Sequence, residues 1–135
     1  MPMRRQALIC AALAATAVAV VAMPAFGGTE AKRSTTNVTV GDDYYSCSKC
    51  TGTVPVKLKV KKNAKVKWVW SSANTDTHNV KLTSNHPKNV KPKDFTSGDY
   101  AVGATFKKKF KVPGTYSFIC TYHKSVMKID VKVKK

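Results

Sequence analysis

Residues 114–133, GTYSFICTYHKSVMKIDVKV, decide how the rest of the sequence is interpreted. On either side of the centre of this stretch, apolar and polar side chains alternate with the period of two that is typical of half-buried β-strands. Between these two strands lie Cys120, His123 and Met127, which offer a thiolate, an imidazole and a thioether. This concentration of ligands predicts a site for a soft metal ion.

The sequence before this stretch alternates in the same way. We predict strands at residues 37–40, 54–60, 65–70, 78–83 and 105–112, and turn residues such as Pro113 and Gly114 separate them. Residues 54–60 place valine and leucine on one face and lysine on the other, and Trp68 and Trp70 are expected in the core. No apolar period of an α-helix is found in this part. The pattern predicts an all-β fold, an antiparallel Greek-key β-sandwich or barrel of about seven to eight strands.

A further ligand is expected from His78, which begins a separate strand. One cysteine, two histidines and one methionine form the ligand set of blue copper sites, in which the methionine bond is long and weak. The thiolate and thioether favour Cu(I), and imidazole accepts both Cu(I) and Cu(II). Zinc is a less suitable ion because it rarely binds a thioether.

Two segments and one methionine resemble the cupredoxins of the plastocyanin, pseudoazurin and amicyanin type. The segments are residues 77–80 (THNV) and 113–123 (PGTYSFICTYH), and the methionine is Met127. The resemblance extends over about residues 37–133, with two departures. Residues 124–126, KSV, lack the Pro or Gly common in that loop. The insertion around Cys47 and Cys50 is also not a usual element of the family.

The resemblance implies a role for each matching residue. One copper ion would be bound by His78, Cys120, His123 and Met127. Asn79 would tie the loop of His78 to the loop of Cys120 through Thr121. The imidazole of His123 would lie at the surface and serve as the exit for electrons.

The N-terminal residues 1–31 have the order of a signal peptide. Arg4 and Arg5 precede an apolar run at residues 7–23, and small residues follow. The run is shorter than the roughly 20 residues that span a bilayer, which disfavours a membrane anchor. We expect cleavage between residues 25 and 31, a flexible leader at residues 32–36 and one copper-binding domain at residues 37–135. The protein would then be periplasmic, or extracellular at the cell envelope.

Three cysteines remain after this processing, because Cys10 lies in the signal peptide. An odd number leaves at least one thiol unpaired. A disulfide between Cys47 and Cys50 would leave Cys120 free beside His123. A second metal site and free or redox-active thiols are the alternatives for Cys47 and Cys50.

The formal net charge is +17, from 24 Lys and Arg against 7 Asp and Glu. This charge favours transient encounters with an acidic redox donor and acceptor and attraction to an anionic envelope surface. A solvated surface that resists aggregation is the alternative interpretation. Nucleic acid is not expected as a partner, because the chain shows no arginine or aromatic recognition pattern.

The sequence therefore favours an exported, monomeric blue copper protein that shuttles single electrons and is not an enzyme. A copper storage or delivery protein is the first alternative, since the same ligands would serve it. A structural domain without metal is the second. An enzyme such as a copper nitrite reductase is disfavoured, because the chain shows one cupredoxin-like domain and no second histidine cluster.

Overall fold

A computed structural model describes residues 34–135 as a sandwich of two four-stranded β-sheets. The predicted signal peptide and the start of the leader lie outside the described residues. The strands are β1 Thr35–Gly41, β2 Tyr44–Ser46, β3 Val56–Lys61, β4 Lys65–Trp70, β5 Lys81–Leu82, β6 Thr105–Lys109, β7 Gly114–Ile119 and β8 Lys128–Lys134. A short 3-10 helix, Pro92–Phe95, lies between β5 and β6. From residue 34 onward, no helix is long and apolar enough to cross a membrane.

The first sheet has the strand order β2-β1-β4-β6, and the second has the order β3-β8-β7-β5. This eight-stranded sandwich confirms the predicted fold class. The pairing is mixed rather than purely antiparallel, because β1 pairs in parallel with β4 and β3 pairs in parallel with β8. Sequence alternation could not reveal this difference, since parallel and antiparallel strands both place successive side chains on opposite faces.

The start of β1 also differs from the expectation. The strand begins at Thr35 rather than at residue 37, and Thr36 is buried. Residues 35 and 36 pair with Lys65 and Val66 of β4. The last two residues of the predicted leader therefore belong to the sheet.

The core lies between the sheets and is formed by the apolar side of each alternating strand. In β3, Val56, Leu58 and Val60 are buried and the three lysines between and after them are exposed. Trp68 is completely buried, and the centroid of its ring lies 5.1 Å from that of Phe118 in the opposite sheet. The indole nitrogen of Trp68 has no hydrogen-bond partner, so apolar packing alone holds this ring in place.

The ends of β7 and β8 create the position of the candidate ligands. These strands are antiparallel neighbours, and Ile119 at the end of β7 pairs with Lys128 at the start of β8. Cys120 and Met127, the next residues outward, therefore face each other at one end of the second sheet. The backbone NH of Cys120 donates to the carbonyl of Met127 at 3.1 Å and closes the loop between them.

The cysteine-containing insertion lies after β2. A disulfide joins Cys47 to Cys50, with 5.1 Å between their Cα atoms. Within residues 34–135, Cys120 is the only free cysteine, and it is buried.

Candidate metal centre

Two histidines and one cysteine converge at the end of the sandwich. The Sγ atom of Cys120 lies 3.9 Å from Nδ1 of His78 and 3.8 Å from Nδ1 of His123. With metal bonds of about 2.0 Å to nitrogen and 2.3 Å to sulfur, ligands in a trigonal plane would lie about 3.7 Å apart. The three ligand atoms are all within 4.8 Å of one another, so they are already spaced for a common ion.

Met127 completes the predicted ligand set from the far end of the same loop. It is completely buried, and its backbone NH donates to the carbonyl of His123 at 2.9 Å. Together with the bond from Cys120 to its carbonyl, this contact fixes both backbone groups of Met127. The four residues His78, Cys120, His123 and Met127 form a plausible site for copper of the blue kind, which is called type 1.

The loop between His123 and Met127 turns without proline or glycine. The backbone NH of His123 donates to the carbonyl of Cys120 at 3.3 Å, and that of Val126 donates to the carbonyl of His123 at 3.2 Å. Backbone hydrogen bonds therefore define two successive turns in residues 120–127. These hydrogen bonds restrict the loop, which lacks the Pro or Gly common at this place in similar proteins.

Asn79 connects the loop of His78 to the loop of Cys120. Its side-chain oxygen accepts a hydrogen bond from the backbone NH of Thr121 at 2.9 Å, and its side-chain NH2 donates to the hydroxyl of Thr121 at 2.7 Å. The same NH2 group donates to Asp99 at 2.8 Å, and the hydroxyl of Tyr45 donates to the Asn79 carbonyl at 2.6 Å. The structure thus contains the tie that the family resemblance implies for Asn79 and Thr121.

Asp42 orients His78 from the side opposite the candidate metal. Its Oδ1 lies 2.8 Å from Nε2 of the buried His78 ring. Hydrogen bonds from His78 first, and then from the backbone NH of Thr75, hold the pKa of the Asp42 carboxyl well below its usual range. The ionised carboxylate accepts a hydrogen bond from Nε2–H, which in the neutral ring places the lone pair on Nδ1, the nitrogen that faces Cys120.

His123 is the ligand nearest to solvent. Its side chain is 23% exposed, and its Nε2 lies 3.4 Å from Asp43 and 4.0 Å from Asp76. Asp43 and Asp76 are themselves 64% and 62% exposed. The accessible edge of the site therefore carries negative charge, although the chain as a whole is strongly basic.

Sequence reasoning missed these carboxylates. Asp42 and Asp43 follow the predicted strand at residues 37–40 and are about 80 residues away from His123 in the chain. The pairing of β1 with β4 brings the turn after β1 close to the loop after β4, where Thr75 donates to Asp42 at 2.9 Å. The only signal in the sequence is the pair Asp42-Asp43 after a strand, and this pair does not indicate which residues the carboxylates contact.

His86 does not join the cluster. It is half-buried, and its Nδ1 lies 2.9 Å from the carbonyl of Pro87. A contact with local backbone accounts for this ring.

Comparisons with known proteins agree with the geometry. Residues 53–134 match the model of a family described as copper binding proteins, plastocyanin/azurin family. No curated protein sequence matches the chain.

Solved structures with a similar fold include two amicyanin variants. A Cu(I) form is 20% identical with a TM-score of 0.56, and the match covers 77% of this chain and 88% of amicyanin. A reduced form is 23% identical with a TM-score of 0.53, covering 73% and 80% of the two chains. The Cu-containing nitrite reductase of Thermus scotoductus SA-01 is 18% identical with a TM-score of 0.56, but the 73% of this chain that matches spans only 22% of that chain.

Proposed function

We propose that this chain, which belongs to the plastocyanin/azurin family of copper-binding proteins, is an exported carrier of single electrons. The ligands would be His78, Cys120, His123 and Met127. Copper supplies the redox chemistry by alternating between Cu(I) and Cu(II), which this mixed ligand set suits.

The convergence of three ligand atoms, one from the loop of His78 and two from the loop of Cys120 and His123, is the observation that carries the proposal. Cys120 and His78 are completely buried, so the site excludes most water, and hydrogen bonds to Asp42 and Asn79 fix the loops that hold it. A site held in this way changes little when the charge of its ion changes. Small rearrangement favours electron transfer over a cycle of metal uptake and release.

The edge of His123 would be the path for electrons. Its ring is partly exposed and its centroid lies 4.9 Å from that of His78, whereas Cys120 and Met127 are completely buried. A partner would approach the accessible imidazole and form a small, transient interface. Transfer by this route needs no substrate pocket at the site.

Nitrite reduction is not our proposal, although the fold is similar to part of a Cu-containing nitrite reductase. In the part of the chain from residue 34 onward, His78, Cys120 and His123 are the one group of His, Cys, Asp and Glu found spaced for a metal ion. This group contains the thiolate that suits electron transfer.

Two observations favour opposite signs for the partner's charge. The net charge of +17 favours long-range attraction to acidic partners, as the sequence predicts. The carboxylates of Asp43 and Asp76 beside His123 oppose an acidic surface at contact distance. If steering by net charge dominates, transfer to an acidic redox protein slows as salt is added, whereas a rate that rises with salt would assign control to the carboxylates.

The first experiment is the visible spectrum after addition of Cu(II) to the metal-free protein. We expect a strong thiolate-to-copper band that Cys120→Ser removes and Cys47→Ser/Cys50→Ser retains. Absence of the band in the wild type would contradict the type 1 site. Electron self-exchange then separates the two main functions, because very slow exchange with an intact band would favour copper storage or delivery.

A further inference from the structure

The outer face of the second sheet is covered with lysine. Alternate residues of β3 and β8 point away from the core, and the register of the sheet brings them together with outward residues of β7 and β5. We call this surface the lysine face. Its lysines are Lys57, Lys59, Lys61, Lys81, Lys128, Lys132 and Lys134.

Like charges lie directly opposite each other on the lysine face. Lys59 pairs in register with Lys132, and Lys61 pairs with Lys134. Asp130 is the only acidic residue of these four strands; it is opposite Lys57 and accepts a hydrogen bond from Ser117 at 2.6 Å. Like charges opposite each other destabilise a sheet, so stability does not account for this arrangement.

The lysines are also close enough to act as one charged surface. Neighbouring strands are about 4.8 Å apart, and alternate residues of one strand about 6.7 Å apart. Both distances are shorter than the Debye length of about 8 Å at physiological ionic strength. The potentials of the lysines therefore add, and the face attracts polyanions more strongly than isolated lysines would.

We propose that the lysine face docks this protein side-on to an anionic lipid bilayer. Lysine is a compact, hydrated point charge without the planar fork of arginine, and it is depleted in protein–protein interfaces. The face lacks the aromatic platforms on which single-stranded nucleic acids stack, and Ile119 is its one large apolar residue. A broad array of point charges is complementary to a surface of lipid headgroups, where each lysine contributes independently.

This docking mode leaves the candidate metal centre accessible. The ligands lie at the end of the sandwich, beyond Ile119 and Lys128, whereas the lysine face covers one of its sides. In a molecule attached through this side, the end of the sandwich that carries His123 faces along the plane of the membrane. Redox partners in or on the same membrane would then be encountered by diffusion in two dimensions.

The test compares two triple variants with the same change of charge. Lys59→Gln/Lys132→Gln/Lys134→Gln neutralises the lysine face, and Lys65→Gln/Lys67→Gln/Lys107→Gln neutralises lysines of the first sheet. The control also includes a like-charge pair, because Lys67 is in register with Lys107. Each protein is purified from expressing cells, its N-terminus is determined by mass spectrometry, and its sedimentation with vesicles is measured. The vesicles contain either equal parts of phosphatidylglycerol and phosphatidylcholine or phosphatidylcholine alone.

We expect the wild type to bind the anionic vesicles and to bind phosphatidylcholine much more weakly. Each lysine contributes about fivefold to binding at an anionic membrane, so the lysine-face variant should bind about 100-fold more weakly. The first-sheet variant should lose less than about fivefold. Lys59→Arg/Lys132→Arg/Lys134→Arg keeps the charge and should bind as the wild type does.

Three results would overturn the proposal. Equal losses in the two glutamine variants would show that only net charge matters. Binding to soluble heparin without binding to anionic vesicles would assign the face to a soluble polyanion. A loss in the arginine variant would show that charge is not the basis of binding. Melting temperatures of the metal-free proteins verify that each variant is folded, and the vesicle measurements require no copper.

Discussion

Asp42 accepts a hydrogen bond from the ring of His78, with 2.8 Å between Oδ1 and Nε2. This carboxylate fixes the ring so that its other nitrogen faces the thiol of Cys120 at 3.9 Å. We expect Asp42→Ala to weaken Cu(I) binding about 10- to 100-fold, because partners that orient a ligating histidine typically have effects of this size. The measurement is a competition titration with a Cu(I) chelator.

Asp94→Ala is the matched control for this experiment. Asp94 is exposed and lies in the 3-10 helix, outside the candidate site. If Asp42→Ala and Asp94→Ala bind Cu(I) as tightly as the wild type, the contact between Asp42 and His78 has no role in holding the metal.

Asn79 should contribute to stability as well as to the site. Asn79→Ala removes the acceptor for the backbone NH of Thr121 and leaves that group without its partner. An unpaired buried donor costs about 1–3 kcal/mol, and this NH is partly buried, so the free energy of unfolding of the metal-free protein should fall by an amount in the lower part of that range. Urea denaturation measures it, and Asn85→Ala, which removes an exposed bond to Ser117, should cost less than about 0.5 kcal/mol. Equal losses in the two variants would contradict a special role for Asn79.

Substitutions of Met127 can separate its contribution to core packing from its role as a metal ligand. Met127→Leu nearly conserves volume in the completely buried position and should cost less than about 1.5 kcal/mol of unfolding free energy. Met127→Ala should cost about 2–5 kcal/mol, because it leaves a cavity. The leucine variant should nevertheless shift the reduction potential of the copper protein, which the axial ligand tunes. An unchanged potential in that variant would remove Met127 from the ligand set.

The carboxylates beside His123 should make electron transfer selective for the charge of small reagents. Asp43→Asn/Asp76→Asn removes two negative charges near the ring nitrogen of His123. At low salt we expect oxidation of the Cu(I) protein by anionic hexacyanoferrate(III) to become about two- to fivefold faster, and reduction of the Cu(II) protein by cationic hexaammineruthenium(II) to become slower by a similar factor. Stopped-flow absorbance measures both rates.

The effect of this double variant should disappear in about 1 M salt, where the Debye length is about 3 Å. Asp94→Asn, at an exposed position away from His123, should change neither rate appreciably. A change of the same sign for both reagents would contradict the charge effect. An altered potential would change oxidation and reduction in opposite directions at every salt concentration, so an effect that persists in about 1 M salt would identify it.

The disulfide predicts the number of reactive thiols. Denatured, metal-free protein whose N-terminal segment has been removed should contain one free thiol, from Cys120, and three after reduction of the bond between Cys47 and Cys50. Ellman's reagent provides the count. Three thiols before reduction would exclude the disulfide.

Local sequence was sufficient to predict the loop that carries most of the candidate ligands. Cys120, His123 and Met127 lie within one short loop between two alternating strands, so their proximity depends on few long-range contacts. The addition of His78 rested on its residue type and on the family resemblance. The structure places all of these side chains at one end of the sandwich.

Other features depend on pairings that alternation does not encode. The parallel pairing of β1 with β4 brings Asp42 to Thr75 and His78, and neither the pairing nor the contact has a local signature. The lysines of β3 and β8 were predicted to face outward, but their positions opposite each other follow from the register. Register is set by the whole core, so a single strand does not reveal it.

The complete burial of Cys120 has a consequence for the lifetime of the protein. Peroxide converts exposed thiolates to sulfenic acid and then irreversibly to higher acids, and access controls the rate. Sulfur enclosed beneath the end of the sandwich is shielded from that chemistry, so oxidative ageing should proceed only as fast as the loop opens.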